Sequence, residues 1–413
     1  MKILYIHQYF NTYKDAGGSR SFSFAKRLVQ RGHNVIMLTS NRENKSSKLF
    51  EKRCVEGFDV IYIKNKYFNS MGFIARIFSF LKFMLLSTFV SFRIQNIDIV
   101  FATSTPLTVG IPGMLLKCYR KVPFVFEVRD LWPKLAISMN ILRNRLLIAV
   151  SEWLEKKIYF LSDHVIALAP GIKKEIVGKK YPSDKVTMIP NGSDIELFQK
   201  SKCEKRRRLP VKEGDFVLIY TGAHGIANGL QYVINIAKEA IKRNYKDIKF
   251  VLIGDGKLKP ILVEQKSKYN LDNVIFLDPI PKTEVIQYVC EADMGMQLLA
   301  NYEAFYYGTS PNKFFDYLAA GKPVLNNYPG WVANMICEYH CGMVVDPDDY
   351  EGFFNKINIL RENKDELEQM GKNARKLAEK KFDRAKLAVK FVKVLESVYN
   401  NHVSHLRERD FNL

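Results

Sequence analysis

Acidic side chains are scarce in this chain. Its 413 residues carry 43 Asp and Glu against 63 Lys and Arg, a formal net charge of +20. The deficit is local: residues 1–200 hold 15 acids to 31 bases and the remainder 28 to 32, so the halves carry +16 and +4. A basic first half faces an acidic partner such as anionic lipid, a lipid diphosphate or nucleic acid. No recognisable nucleic-acid-binding motif accompanies the charge, which argues against the last. Cysteine is rare too: Cys54, Cys118, Cys203, Cys290, Cys337 and Cys341 are scattered through a long sequence and read as reduced thiols of the cytoplasm. The tightest cluster, C-E-Y-H-C at 337–341, lacks CxxC spacing and a second ligand pair, so it reads as structural. Also missing is a G-x-G-x-x-G dinucleotide fingerprint. The apolar run at the start, M-K-I-L-Y-I-H-Q-Y-F, is too short for a signal peptide and reads as a buried first strand.

What is present is globular: 47% hydrophobic and 26% charged residues, and length for two sizeable cores. Short β-rich runs alternate with helical stretches, the pattern of α/β folds with parallel sheets. Strands are expected at Lys2–His7, Asn34–Thr39, Phe58–Ile63, Ile97–Ala102, Phe124–Val128 and His164–Ala169. A second set follows at Phe216–Tyr220, Lys249–Ile253, Val274–Leu277, Met294–Leu298, Pro323–Asn326 and Gly342–Val345. Between the sets lie I-P-N-G-S-D (Ile189–Asp194) and the charged run Lys202–Arg208, a turn-rich break that marks a domain boundary. The division is residues 1–193 and 194–384, with 385–413 returning to the first domain. Phe73–Phe92 is aromatic-rich and interrupted by Arg76 and Lys82, and its charge-free part is half of a membrane span. On a helical wheel Arg76, Ser79, Lys82, Ser87 and Ser91 share one half. Two readings stay open: a helix lying in a membrane interface, or a crossover helix buried against the sheet.

The most informative stretch is G-T-S-P-N-K-F-F-D-Y-L-A-A-G-K-P-V, Gly308–Val324. Ser310 is expected to cap a helix, with Pro311 at its first position, Gly321 ending it and Pro323 preventing continuation. The free amides of Asn312, Lys313 and Phe314 then open a positive helix end suited to phosphate, and Lys313 adds a cation. Asp316, one turn deeper on the same face, is placed for ribose hydroxyls. An ordinary capped helix with surface Lys and Asp would read the same in isolation.

Other loops at strand ends supply partners. A-G-G-S-R opens a helix after the first strand, where Gly17 and Gly18 admit close ligand approach and Arg20 attracts phosphate. V-R-D-L-W-P places Arg129 and Asp130 beyond a carboxyl end, where ligands bind in such sheets; a simple salt bridge is the alternative. Y-T-G-A-H-G-I-A-N-G-L contributes Gly222, His224 and Asn228 to sugar or phosphate contacts, and I-G-D-G-K contributes Gly254. Backbone near Leu277–Pro279 is placed for the base.

Taken together, the G-G loop, R-G-H-N-V, I-P-N-G-S-D, G-D-G, E-A-D-M and F-D-Y-L-A-A-G-K-P-V resemble the retaining GT-B glycosyltransferases of glycosyltransferase family 4. M-K-I-L-Y-I-H-Q-Y-F, V-R-D-L-W-P and S-P-N-K-F-F-D-Y-L-A-A-G-K-P further resemble a bacterial subgroup that includes L-N-acetylfucosaminyl transferases of O-antigen and capsule assembly. The resemblance implies two Rossmann-like domains facing across a cleft, and retaining transfer from a UDP-sugar without a metal ion or cofactor. It implies a polyprenyl-diphosphate-linked acceptor at the inner face of a bacterial inner membrane. Two departures stand out. Gly308 occupies the place of the family's first glutamate and Asp316 that of its second, while Ala223 and Asn228 occupy those of its usual Arg and Lys. Lys313 is the substitute expected to neutralise the leaving diphosphate, with Arg20 or Arg129 reaching across and Asp130 beside them. The D-P-D-D run at Asp346–Asp349 has the composition of a turn. Rival readings are an NAD-dependent sugar-nucleotide epimerase or reductase and a non-catalytic membrane-associated scaffold.

Overall fold

A computed structural model describes residues 1–41, 48–68, 71–200 and 208–411. Of the charged run Lys202–Arg208, all but Arg208 lies outside the described residues.

The first sheet has eight strands: β1 (Lys2–Ile6), β2 (Asn34–Asn41), β3 (Phe50–Val55), β4 (Phe58–Lys64), β5 (Ile99–Thr103), β6 (Phe124–Val128), β7 (His164–Ala167) and β8 (Val186–Met188). Their order is β3-β4-β2-β1-β5-β6-β7-β8, parallel except for the antiparallel β3–β4 hairpin at one edge. Inner strands such as β5 and β6 are buried at every residue, as the continuous apolar runs of parallel strands require. β3, unforeseen in the sequence, carries Glu51, Lys52 and Arg53, charges that protect an exposed edge.

The second sheet contains β9 (Phe216–Thr221), β10 (Ile248–Ile253), β11 (Val274–Leu277), β12 (Met294–Gln297), β13 (Val324–Asn326) and β14 (Gly342–Val344). Its order is β11-β10-β9-β12-β13-β14, parallel throughout. In each sheet the order reverses beside the first strand, the switch point at which loops diverge and a crevice opens.

Right-handed crossovers decide which helices share a face. The helix Arg20–Gln30 leads from β1 leftward to β2, whereas Phe73–Arg93, Gly110–Arg120 and Arg145–Leu161 all lead rightward, so these three cover the opposite face. The long last helix, Arg384–Phe411, packs beside Arg20–Gln30 on the first domain. Phe391 is buried there, stacked on Phe24 at 4.7 Å and edge-on to Phe101 at 4.8 Å.

The chain passes between domains at two adjacent places. Ser193 pairs with Asp383: the Ser193 amide donates to the Phe382 carbonyl and the Arg384 amide to the Ser193 carbonyl, both at 2.9 Å. Two buried arginines fasten this joint. Arg20 donates to the carbonyls of Ile189 and Pro190, and Arg384 to those of Asn191 and Gly192. Gly192 has φ +61° and lies where a Cβ would be 2.5 Å from the Phe382 carbonyl oxygen, so a side chain there is excluded twice over.

Candidate active site

A cavity of about 980 Å³ lies between the carboxyl ends of the two sheets. One wall comes from the loop after β1, including Asn11, Gly17, Gly18 and Ser19. The other comes from Gly222, Asn228, Gly254, Pro279, Asn312, Lys313 and Asp316. The two walls nearly touch. A Cβ on Gly18 would lie 3.0 Å from Asn312 Nδ2, and the Lys282 amide donates to the Asp15 carbonyl at 3.4 Å. The double glycine therefore permits close approach between domains as well as room for a ligand.

The loop-strand geometry behind the second wall leaves no space for side chains. Gly222 donates to the Ile253 carbonyl and Gly254 to the Leu277 carbonyl, extending the ladder beyond the strands. With φ +148°, Gly254 would place a Cβ 1.9 Å from the Gly222 carbonyl oxygen.

The helix Asn312–Ala319 points its start into this space. Pro311, not Ser310, is its N-cap, and no side chain caps it. Ser310 instead reaches the interdomain linker: its Oγ accepts from the Asn191 amide at 3.0 Å and its carbonyl accepts from the Asn191 side chain. The N-terminal amides consequently lack the side-chain acceptor expected of a capped helix. Asn312 Oδ1 is buried without a hydrogen-bond partner among the described residues. The helix ends where foreseen, with Gly321 at φ +66°. Phe314 contributes its amide to this end while its ring is wholly buried against Phe315.

Lys313 is the cation of the wall. Its Nζ donates to Asn228 Oδ1 at 3.2 Å and lies 4.8 Å from the centre of the Tyr220 ring. Burial lowers its pKa from 10.5 to about 8, and no carboxylate pairs with it among the described residues. An uncompensated, partly desolvated cation is poised for an incoming anion.

Asp316 is buried, with Oδ1 accepting from Ser193 Oγ at 2.8 Å and Oδ2 paired with the Lys282 ammonium. Lys282 and Ser193 were not anticipated. Lys282 follows P-I-P and begins the helix Lys282–Glu291, but sequence alone does not distinguish it from a surface lysine.

Several other candidates lie elsewhere. Arg20 is sealed off from the cavity: Nη2 pairs with Glu127 Oε2 at 2.7 Å, both side chains fully buried, and the guanidinium stacks 4.2 Å from the Phe24 ring. It is a strut of the joint, and the phosphate role expected of it is corrected accordingly. Arg129 and Asp130 do not line the cavity; Arg129 reaches His7 Nε2 at 3.1 Å, and burial raises the Asp130 pKa against the pull of Arg129. His224 stands behind the Gly254 turn, fully buried, both ring nitrogens without a hydrogen-bond partner among the described residues. Burial, then nearby Lys259, lower its pKa to about 4, so it stays neutral. The Leu277 carbonyl is occupied by Gly254 and Lys259, leaving Pro279 and Ile280 as that loop's contribution to the wall. Asp346–Asp349 forms a turn in which Asp349 caps the helix Tyr350–Glu362.

Two Rossmann-like domains facing across a cleft make this a GT-B fold. Residues 18–197 match Glycosyltransferase Family 4 and residues 201–377 match Glycosyl transferases group 1, together most of the chain. It is 23% identical over 258 residues to the capsular polysaccharide biosynthesis glycosyltransferase CapM of Staphylococcus aureus, a match covering 60% of this chain and 64% of that one. Two other curated relatives are matched over 59% and 53% of their own length. Among solved structures, sucrose-phosphate synthase from Thermosynechococcus elongatus superposes with a TM-score of 0.76, at 16% identity, covering 97% of this chain and 99% of that one. Anabaena HepE in complex with UDP-glucose gives 0.65, at 16% identity, covering 96% and 100%.

Proposed function

We propose that this chain transfers a sugar from a UDP-sugar to a polyprenyl-diphosphate-linked glycan of O-antigen or capsule synthesis. The anomeric configuration is retained, no metal ion is needed, and the sugar is an N-acetylated deoxyamino sugar of the L-N-acetylfucosamine type. The observation that carries the reading is the bare start of the Asn312–Ala319 helix with half-buried Lys313, set across one cavity from Gly17 and Gly18. HepE was solved with UDP and with UDP-glucose, and CapM is named for capsular polysaccharide, which support the donor and the setting.

Breaking a glycosyl–phosphate bond puts positive charge on the sugar ring and negative charge on the departing diphosphate. The Asn312, Lys313 and Phe314 amides and the Lys313 ammonium are preorganised to receive that negative charge in the cleft between the domains. The positive charge on Lys313 strengthens as the diphosphate arrives, since an adjacent anion raises an ammonium's pKa. Asp316 accepts from the ribose hydroxyls, with Lys282 and Ser193 fixing its orientation, and Pro279 borders the base. The acceptor enters from the Gly17–Gly18 side, and Phe73–Phe92 lies at the anionic inner-membrane surface that presents it.

The test is release of UDP from a panel of UDP-sugars with and without a polyprenyl-diphosphate glycan, in EDTA. Acceptor-dependent release in EDTA is expected. Release that requires an added divalent ion, or none with any acceptor while GDP- or ADP-sugars stabilise the fold, contradicts the reading.

A further inference from the structure

The helix Phe73–Arg93 is amphipathic the wrong way round for water. Its buried face carries hydroxyls: Ser79, Ser87 and Ser91 are all inside. They are satisfied locally, Ser79 by Asn65 and the Lys66 carbonyl, Ser87 and Ser91 by the carbonyls one turn back. Its outer face is apolar, with Ile74 70%, Phe78 68%, Leu85 63% and Phe89 46% exposed. Of the half of the wheel that holds the polar residues, the three serines are turned to the sheet and Lys82 stays exposed. Neither reading of this segment as a buried crossover nor water as its natural surroundings explains that outer face.

A second helix on the same face of the sheet repeats the arrangement. Gly110–Arg120 packs between the two, touching the first through the Phe92–Tyr119 ring contact and the second where Gly110 meets Ile158. On Arg145–Leu161, Leu146, Val150 and Trp153 are 72%, 51% and 58% exposed, at helical spacing. Charge selects the partner. Phe73–Arg93 and Gly110–Arg120 contain no acidic residue, and the three helices carry Arg76, Lys82, Arg120, Lys156 and Lys157, with Lys117 paired to Asp163. Of the two acids on Arg145–Leu161, Glu155 is buried and paired with Lys179.

We infer that Phe73–Arg93 and Arg145–Leu161 form one docking surface for an anionic phospholipid bilayer, with Trp153 entering the headgroup boundary. Apolar rings at that depth with cations beside them match the interfacial mode of binding. The inference rests on the membrane part of the proposed function and extends it to a second helix. The first helix lies on the sheet along its serine face, so it docks flat rather than spanning.

The experiment mixes the full chain with vesicles of phosphatidylglycerol and phosphatidylcholine, reading flotation together with the Trp153 emission obtained by subtracting a Trp153→Phe spectrum. Expected are co-flotation with anionic but not pure phosphatidylcholine vesicles, and a blue shift of Trp153 with quenching by brominated acyl chains. Lys156→Glu and Lys157→Glu should each weaken partition about fivefold, near 1 kcal/mol per cation. Trp153→Glu should weaken it at least about tenfold while leaving the melting temperature unchanged. Wild-type protein remaining soluble with anionic vesicles overturns the proposal. So does flotation with Trp153 still in water, which would leave the first helix acting alone. A self-association abolished by Trp153→Glu, without vesicle binding, also overturns it in favour of a second copy of the chain. UDP-sugar thermal stabilisation, measured in parallel on the same proteins without vesicles, reports on the transferase reading separately.

Discussion

Lys313→Ala isolates the part of the cleft on which the proposed chemistry depends most. The lysine's Nζ touches Asn228 Oδ1 and faces the Tyr220 ring, and no carboxylate among the described residues pairs with it. Removing one preorganised donor from a developing oxyanion costs roughly 2.7–4 kcal/mol, so kcat should fall about 10²–10³-fold. A charge-assisted hydrogen bond to the ground-state diphosphate is worth about 1.5–3 kcal/mol, and UDP affinity should fall roughly 10–100-fold. Folding should hardly change. The site already disfavours the ammonium, as its lowered pKa shows, and the truncation strands only the side-chain oxygen of Asn228, which lines the open cavity. A stability change within about 1 kcal/mol follows. The assay is acceptor-dependent UDP release at saturating donor, with a thermal melt of the same sample. A variant with wild-type kcat refutes the reasoning outright, and one that loses activity only because it has unfolded fails to support it.

The pH dependence carries the same signature. With its pKa lowered to about 8, Lys313 is cationic below that value and neutral above, so donor affinity should weaken as pH rises through 8, at up to about tenfold per pH unit. Titration calorimetry with UDP from pH 7 to 9.5 reads this, and a flat profile contradicts it; Lys313→Ala should flatten it. Lys282→Met frees one oxygen of Asp316 and should raise the donor KM roughly tenfold with a smaller change in kcat, the split expected of a positioning residue. An unchanged KM would show that Asp316 does not hold the donor. Arg20→Met leaves Glu127 buried without its cation and should cost about 3–5 kcal/mol in urea unfolding. A variant of wild-type stability that has lost UDP binding would return Arg20 to the phosphate site.

The strands of both sheets were readable because parallel strands buried on two faces must be apolar along their whole length, as in F-V-F-E-V and F-V-L-I-Y-T. Phe50–Val55 was not, since an edge strand written F-E-K-R-C-V carries the composition of a loop, and Val186–Met188 is too short for any period to show. Gly17, Gly18, Gly222, Gly254, Asn312, Lys313 and Asp316, which the structure brings to one cavity, could be picked out because glycines at strand ends and a marked helix start are legible in sequence. Arg20 could not be sorted correctly. Its partner Glu127 is 107 residues away, and nothing local separates an arginine that faces a ligand from one sealed under the linker. Lys282 escaped notice for the same reason. The two readings of Phe73–Arg93 could not be separated from the sequence because its serines, polar by composition, satisfy themselves on backbone carbonyls and need no water.

The most direct measurement is a crystal structure of this chain with UDP bound. The diphosphate oxygens are predicted within hydrogen-bonding distance, roughly 2.7–3.2 Å, of the Asn312–Phe314 amides and of Lys313 Nζ. A diphosphate bound elsewhere in the cleft, with that helix end still bare, would contradict the central claim.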